Sequence, residues 1–378
     1  MRLRTAFFVA CSAAVLAQTP TTPLRRAYDF QAIPRPPVPP DPLELVTGPA
    51  LPVQDALQRM AALSLLSKAQ DLSNVRGQPY SLKTTFISSG GLASDGNWVL
   101  EDTARGRKYR WTAQGPNYSA VNLYPDSVQN GLYGNQQSGN LPLRLLQVRS
   151  AIFFRLPAPV GTMASVRTAT GLLTGAEQRC VLLVIGAGSR SFTGARNWEE
   201  SEYCIDAQTG LLTTYSPVPG LFVHYDYSQA IHFHDKLIAN AFTIWQAGRK
   251  VAEATTVSVS DPPAATDPIF SPTGLLPLGA GRAMNPGMNM PIVTPVPGHP
   301  LPIDAAGAAI QVVTLHGNLS GDGQLREVEV LASTDSTLNQ TAVDTAKSAM
   351  QGRRQGQPGT TAQSSEMVLT FEFVTPVR

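Results

Sequence analysis

YSLKTTFISSGGLASDGNWVLEDTARGRKYRWTAQGPNYSAVNLYPD, residues 80–126, contains four runs in which apolar and polar side chains alternate: YSLKTTFIS, GNWVLEDTA, RKYRWTAQG and YSAVNLYPD. Between them lie SSGGLASDG, RGR and GPN, whose Gly, Asn and Asp tolerate the backbone reversals of tight turns. A period of two places successive side chains on opposite faces, so the stretch predicts four antiparallel strands with one buried face.

The same grammar extends in both directions. Upstream, Leu57, Met60, Ala61, Leu65, Ala69 and Leu72 recur at helical spacing, and Pro79 closes that helix. Downstream, LPLRLLQVRSAIFFRLP between Pro142 and Pro157 is compatible with a second helix. Further strand-like runs follow in SVRTATGLL, RCVLLVIGA, SEYCIDAQTGLLTTYS, LFVHYDYSQAIHFH, KLIANAFTIWQAG and KVAEATTVSVS. One or two helices against a long antiparallel run predict an α+β fold, an antiparallel curved sheet or half-barrel with helices on its concave side.

Arg2 and Arg4 precede an apolar run from Thr5 to Ala17, and VLAQ puts a small residue before Gln18. This predicts a signal peptide, residues 1–17, cleaved near Ala17, and hence a periplasmic or secreted chain; a retained anchor is the alternative. Ten prolines in residues 19–52 predict an extended Pro-rich arm over 18–52. Eleven more in 262–302 mark a Pro/Gly-rich linker, 262–305, in which no periodic element is expected. These segments divide the chain into a central domain, 53–261, and a C-terminal domain, 306–378. With 29 basic and 27 acidic residues and no basic block, the chain lacks an electrostatic nucleic-acid footprint.

Beyond the signal two cysteines remain, Cys180 and Cys204, each in a strand-like run. In an oxidising compartment they predict one disulfide across neighbouring antiparallel strands, while the absence of a C-x-x-C spacing argues against a metal or redox pair. His224, Asp226, His232 and His234 would share one face if HYDYSQAIHFH ran as an unbroken strand, which is the chain's one metal-site alternative. Glu199, Glu200 and Glu202 read as a wet surface run, and GAGSRSFTGARN, 186–197, as a hairpin loop rather than a phosphate cradle. Serine-elbow, zinc-protease, Walker and dinucleotide motifs are absent, and no cofactor is implied.

The order of helix, antiparallel strands, mid-chain helix and CIDAQTGLL leading into further strands resembles the half-barrel of LolA- and LolB-type periplasmic lipoprotein carriers over residues 53–261. The resemblance implies a pocket for a lipid or other apolar ligand, with Trp98, Trp111, Phe153, Phe154 and Trp245 as lining; plain core packing is the other reading of these aromatics.

AIQVVTLHGNLS and LREVEVLAS flank Asp322-Gly323, which predicts a two-residue hairpin with Val328, Val330 and Ala332 on a buried face and Glu327 and Glu329 on a wet one. TLNQ, 337–340, has the form of a capping box opening a helix whose stripe is Leu338, Ala342, Ala346, Ala349 and Met350, ended by Gly352. EMVLTFEFV closes a β-β-α-β order. VVTLHGNLSGDGQLREVEVLAS, LNQTAVDTA and VLTFEF in that order are similar to the C-terminal domain of TonB-family proteins over residues 310–374. The resemblance implies docking of an envelope or outer-membrane protein by strand addition to a sheet edge. GRRQGQPGTTAQSS replaces the family's aromatic, proline-containing segment after the helix. Together these readings predict a non-catalytic envelope binding protein, the alternatives being a metal-assisted hydrolase using His232 and His234, or a passive scaffold.

Overall fold

The computed structural model describes residues 37–41, 46–47, 51–53, 55–75, 78–126, 131–153, 164–185, 195–263, 268–278, 292–295, 308–353 and 364–376. The signal segment, most of the arm, Phe154, the greater part of GAGSRSFTGARN and residues 354–363 lie outside them. In chain order the first elements are β1 (Val46–Thr47), β2 (Leu51–Pro52), α1 (Ala56–Lys68), β3 (Tyr80–Ser88), β4 (Gly96–Arg105), β5 (Lys108–Gly115), β6 (Tyr118–Tyr124) and β7 (Tyr133–Gly134). Helix α2 (Leu143–Phe153) precedes β8 (Ala164–Leu173), β9 (Ala176–Ile185), β10 (Ser201–Asp206), β11 (Leu212–Val218), β12 (Leu221–Asp226), β13 (Ile231–Phe233) and β14 (Lys236–Ile238). Then come β15 (Ala241–Gln246), β16 (Arg249–Ser260), β17 (Leu276–Pro277), β18 (Ile292–Pro295), β19 (Ala308–Leu319), β20 (Leu325–Ser333), α3 (Asn339–Arg353) and β21 (Ser365–Pro376).

The four strands read from residues 80–126 are β3 to β6, paired antiparallel in sequence order. They continue through β16, β15, β12, β11, β10, β9 and β8, so one open antiparallel sheet runs β1-β8-β9-β10-β11-β12-β15-β16-β3-β4-β5-β6-β7-β17. Register shifts at Cys204/Ile205, Tyr215/Val218, Ile244/Trp245 and Thr256/Ser258 insert the bulges that raise twist and bend a wide sheet. Inward residues such as Leu82, Phe86, Leu100, Val181, Val223, Phe242 and Ile244 form one apolar cluster with Leu63 and Leu66 of α1 and with α2.

Helix α1 departs from its expected stripe. Ala62, Leu63 and Leu66 are buried, whereas Leu57 and Met60 are 75% and 51% exposed. Asp55 caps it, its carboxylate accepting from the amides of Leu57 and Gln58 at 2.8 and 3.0 Å.

A second, four-stranded sheet, β18-β21-β19-β20, lies toward the C-terminus with α3 on one face. Val313, Leu315, Leu369, Phe371 and Phe373 meet Ala342, Ala346 and Met350 of α3, and the elements follow one another in the order β19, β20, α3, β21. Three details differ from the sequence reading. The hairpin turns over three residues, Gly321, Asp322 and Gly323, between the paired Ser320 and Gln324, and Gly323 supplies the positive φ of 85°. Asp335, not Thr337, accepts from the Thr337 amide at 3.0 Å, while Gln340 donates forward to Asp344. The linker is not featureless: Leu276–Pro277 pairs with β7, and Ile292–Pro295 pairs in parallel with β21.

Cys180 and Cys204 stand directly opposite in β9 and β10 and are bonded, as expected. Both are buried, with Leu182 and Ala169 around them. The bond closes a separation of 24 residues, for which loop-closure entropy is worth about 3 kcal/mol. Replacing both cysteines with serine should therefore lower the unfolding free energy by about 3 kcal/mol, read from urea unfolding as a lower midpoint with a steeper slope, because the unlinked denatured chain exposes more surface.

Candidate functional site

Helix α2 is the centre of the molecule. Pro142 accepts its first backbone bond from Leu146, and ten of its residues, Arg144, Gln147 and Arg149 among them, are buried. One side faces the concave sheet; the other faces β20 and β21 of the C-terminal sheet. An apolar helix carrying two arginines in such a place needs partners for both, because an unpaired buried charge costs several kcal/mol.

Arg149 finds them on the curved sheet. Its guanidinium donates to Asp102 Oδ2 at 3.0 Å and to the Tyr109 hydroxyl at 2.8 Å, and it lies over the rings of Trp111 and Phe153 at 4.0 and 5.2 Å. The Tyr80 hydroxyl donates to the other oxygen of Asp102 at 2.9 Å. Burial by itself lowers the Arg149 pKa, but Tyr109 and Asp102 outweigh it and hold the group above its usual range.

Arg144 finds its partners on its own helix, on the curved sheet and on the C-terminal sheet. It donates to Gln147 Oε1 at 2.6 Å, to Gln246 Oε1 at 3.2 Å and to Glu329 Oε1 of β20 at 3.2 Å. Gln246 in turn donates to Glu329 Oε2 at 2.6 Å. The β3–β4 loop covers this group through Gly90, whose φ is 130° and where a Cβ would lie 3.0 Å from Arg144. Beside it, Glu327 Oε2 accepts from the Leu143 amide at 2.7 Å, capping α2 with a carboxylate from another sheet. Glu327 adopts φ 49°, a left-handed conformation that is strained for a non-glycine residue. Asn318 donates to Leu141 O, Ser150 donates to Glu366, and Glu366 meets His316 Nε2 at 2.8 Å. Glu327 and Glu329, expected to be wet, thus face α2. The serine, glutamate and histidine do not form a nucleophile set, because the serine hydroxyl bonds the carboxylate rather than the imidazole.

Of the aromatics expected to line a pocket, Trp98, Trp111 and Phe153 lie in the inward cluster, Trp98 stacked on Phe86 at 5.5 Å and against Gly115, where a Cβ would meet its ring. Trp245 lies on the opposite parity of β15 from Phe242 and Ile244, across from Phe222, so it faces outward. The histidines do not share a strand: β12 ends at Asp226 and β13 begins at Ile231. His224 is buried beside Thr214 and Asp41, His232 is exposed, and His234 pairs with Asp261. Among the described residues the one group of such side chains close enough to hold a metal ion is Cys180, Glu202 and Cys204, whose two sulfurs are bonded to each other. Glu199, Glu200 and Glu202 are buried rather than wet; Arg167 donates to Glu200 at 2.6 and 2.7 Å, and Arg196 to Glu202 at 3.2 Å. Burial lowers the Arg196 pKa against the opposing pull of Glu202, Glu200 and Asp41.

No family model and no curated protein matches this chain. Solved structures similar to it include a DUF1329 family protein from Desulfovibrio piger ATCC 29098, at 8% identity over 56% of this chain and 96% of that one, with a TM-score of 0.36. A LolA superfamily protein from Nitrosomonas europaea matches at 9% identity, 58% of this chain, 98% of that chain and a TM-score of 0.26. MucB in complex with MucA(peri) matches at 9% identity, 57% of this chain, 59% of that chain and a TM-score of 0.22. The functional reading therefore rests on the geometry of this chain.

Two outcomes follow from the buried groups. Arg144→Ala leaves Glu329 without its cation and should cost about 3 kcal/mol, and a double-mutant cycle with Glu329→Gln should give a coupling of about 2 kcal/mol in urea unfolding. Burial raises the phenols of Tyr124 and Tyr203 from 10.0 to about 12. Their contribution to stability is full below pH 10 and is lost as pH rises toward about 12, because only the unfolded chain ionises freely there. Alkaline titration at the phenolate absorbance band should show these groups ionising together with loss of the folded circular dichroism signal.

Proposed function

We propose that the protein is a non-catalytic binding protein of the cell envelope, periplasmic or secreted, whose C-terminal sheet docks a protein partner by strand pairing in the manner of TonB-family domains. The observation that carries this reading is the outer edge of β21, which accepts a short extended segment in parallel register from Ile292↔Leu369 to Pro295↔Glu372. Strand addition is made by main-chain groups and asks for no reactive side chain. The hydrogen bonds that Glu329, Glu327 and Glu366 accept from α2 support it further, since they hold the sheet in a fixed orientation on that helix.

The second part of the proposal is that the concave sheet takes a lipid or other apolar ligand beside α2, with Trp98, Trp111 and Phe153 in contact with it. Arg149, stacked on two of these rings, would then face the ligand's polar end. Metal-assisted hydrolysis at His232 and His234 is not favoured, because among the described residues neither belongs to a group of three ligand side chains close enough to hold one ion.

The full-length mature chain, immobilised and exposed to envelope extract, should retain a specific protein that a peptide of residues 289–298 elutes. Failure to retain any specific protein overturns the docking reading. Native mass spectrometry of protein purified without detergent should show a lipid-sized adduct, and a bare mass removes the apolar-ligand half.

A further inference from the structure

The strand on the β21 edge comes from the chain itself. β19 pairs with β21 from Ala308↔Pro376 to Leu319↔Ser365, whereas β18 pairs over the four residues from Ile292 to Pro295. Pairing in parallel is slightly weaker per residue than antiparallel pairing. Pro291, Pro295 and Pro297 prevent this strand from lengthening in either direction, and Pro295 offers no amide to the ladder. It is the least committed strand of the C-terminal sheet.

It is also tethered at close range. Pro295 pairs at Glu372 and Ala308 at Pro376, so the residues between them, 296–307, begin and end near the same end of β21. They must cross one strand, a lateral span of about 10 Å. Twelve residues reach up to about 40 Å. A connection of this length covers that span, so the segment reaches its edge as part of the same chain and needs no second molecule.

We propose that Ile292–Pro295 is a cis-acting latch, a resident strand that keeps the acceptor edge of β21 shut until a competing extended segment displaces it. The inference rests on the strand-docking reading and adds its regulation: a partner must outcompete a weak but ever-present internal strand. Segments that bind the bare edge weakly are rejected, and the edge is protected from pairing with other copies of the chain.

The test uses the full mature chain and a fluorescein-labelled peptide of residues 289–298. A variant with Ile292–Pro295 replaced by Gly-Ser-Gly-Ser should bind the peptide at least about tenfold more tightly than the wild-type chain, by fluorescence anisotropy. Equal affinity for the two proteins, or no binding to the variant, overturns the latch. Should the variant fail to fold, the wild-type chain gives the second measurement. Saturating unlabelled peptide should accelerate hydrogen exchange at the amides of 292–294 while those of 369–372 stay protected, and unchanged exchange at 292–294 overturns the proposal. If the variant binds the peptide yet retains nothing from envelope extract, the latch stands and the docking reading falls.

Discussion

The contact between Arg144 and Glu329 is the constraint on which the architecture turns. Arg144 belongs to a helix that the curved sheet needs for its core, and Glu329 belongs to another sheet, 185 residues later in the chain. Neither group tolerates burial alone, and each supplies the other's counter-charge. The helix can be buried on both sides only if the C-terminal sheet is in place. Gln147 and Gln246 fill the remaining hydrogen-bonding positions, and Gly90 leaves room for the guanidinium. A purely apolar seam would be equally adhesive but would permit sliding; directional bonds between fixed side chains permit one orientation.

The same logic recurs on the outer side of the sheet. Arg167 with Glu200, and Arg196 with Glu202, are buried pairs on the strands next to the disulfide, and Asp41 reaches His224 from the proline-rich arm. Charge is thus found at three seams: α2 against the curved sheet, α2 against the C-terminal sheet, and the strand face under the arm. At each, main-chain groups or tyrosine hydroxyls complete the shell. Two of these pairs join segments far apart in the sequence, Arg149 with Asp102 and Arg144 with Glu329, whereas β3 to β6 pair with their neighbours in the chain.

That distribution explains what could be read from the chain beforehand. Alternation in 80–126 depends on neighbours a few residues apart, and it yielded β3 to β6 and the curved antiparallel sheet. The disulfide was legible because the two cysteines sit in adjacent strands. The candidate site was not, because its members come from Asp102, α2, Gln246 and β20, and no local period links them. Glu199 to Glu202 and Glu327 with Glu329 look like solvated runs until Arg167, Arg196 and Arg144 are known to stand opposite. One signal was available: a helix between prolines that carries Arg144, Gln147 and Arg149 on the two flanks of its apolar stripe Leu145, Val148 and Ile152 needs polar partners once those flanks are buried. The histidines misled for the converse reason, since the spacing of 224, 232 and 234 implied one strand where the chain turns between Asp226 and Ile231.

β21 joins the two ends of this arrangement. Its residues 369–372 carry the resident strand, and Glu366, three residues away or about 10 Å along the strand, accepts from Ser150 of α2 and meets His316. Glu327, strained in a left-handed conformation, caps the same helix from β20. A sheet that only covered the core would need neither strain nor ionic caps on its inner face, and would gain from a longer, antiparallel neighbour on its outer edge. Here the inner face is tied down residue by residue while the outer edge holds a short, proline-bounded strand in the weaker parallel sense. The contacts are concentrated on the inner face, against α2, and the outer edge is the side left lightly held.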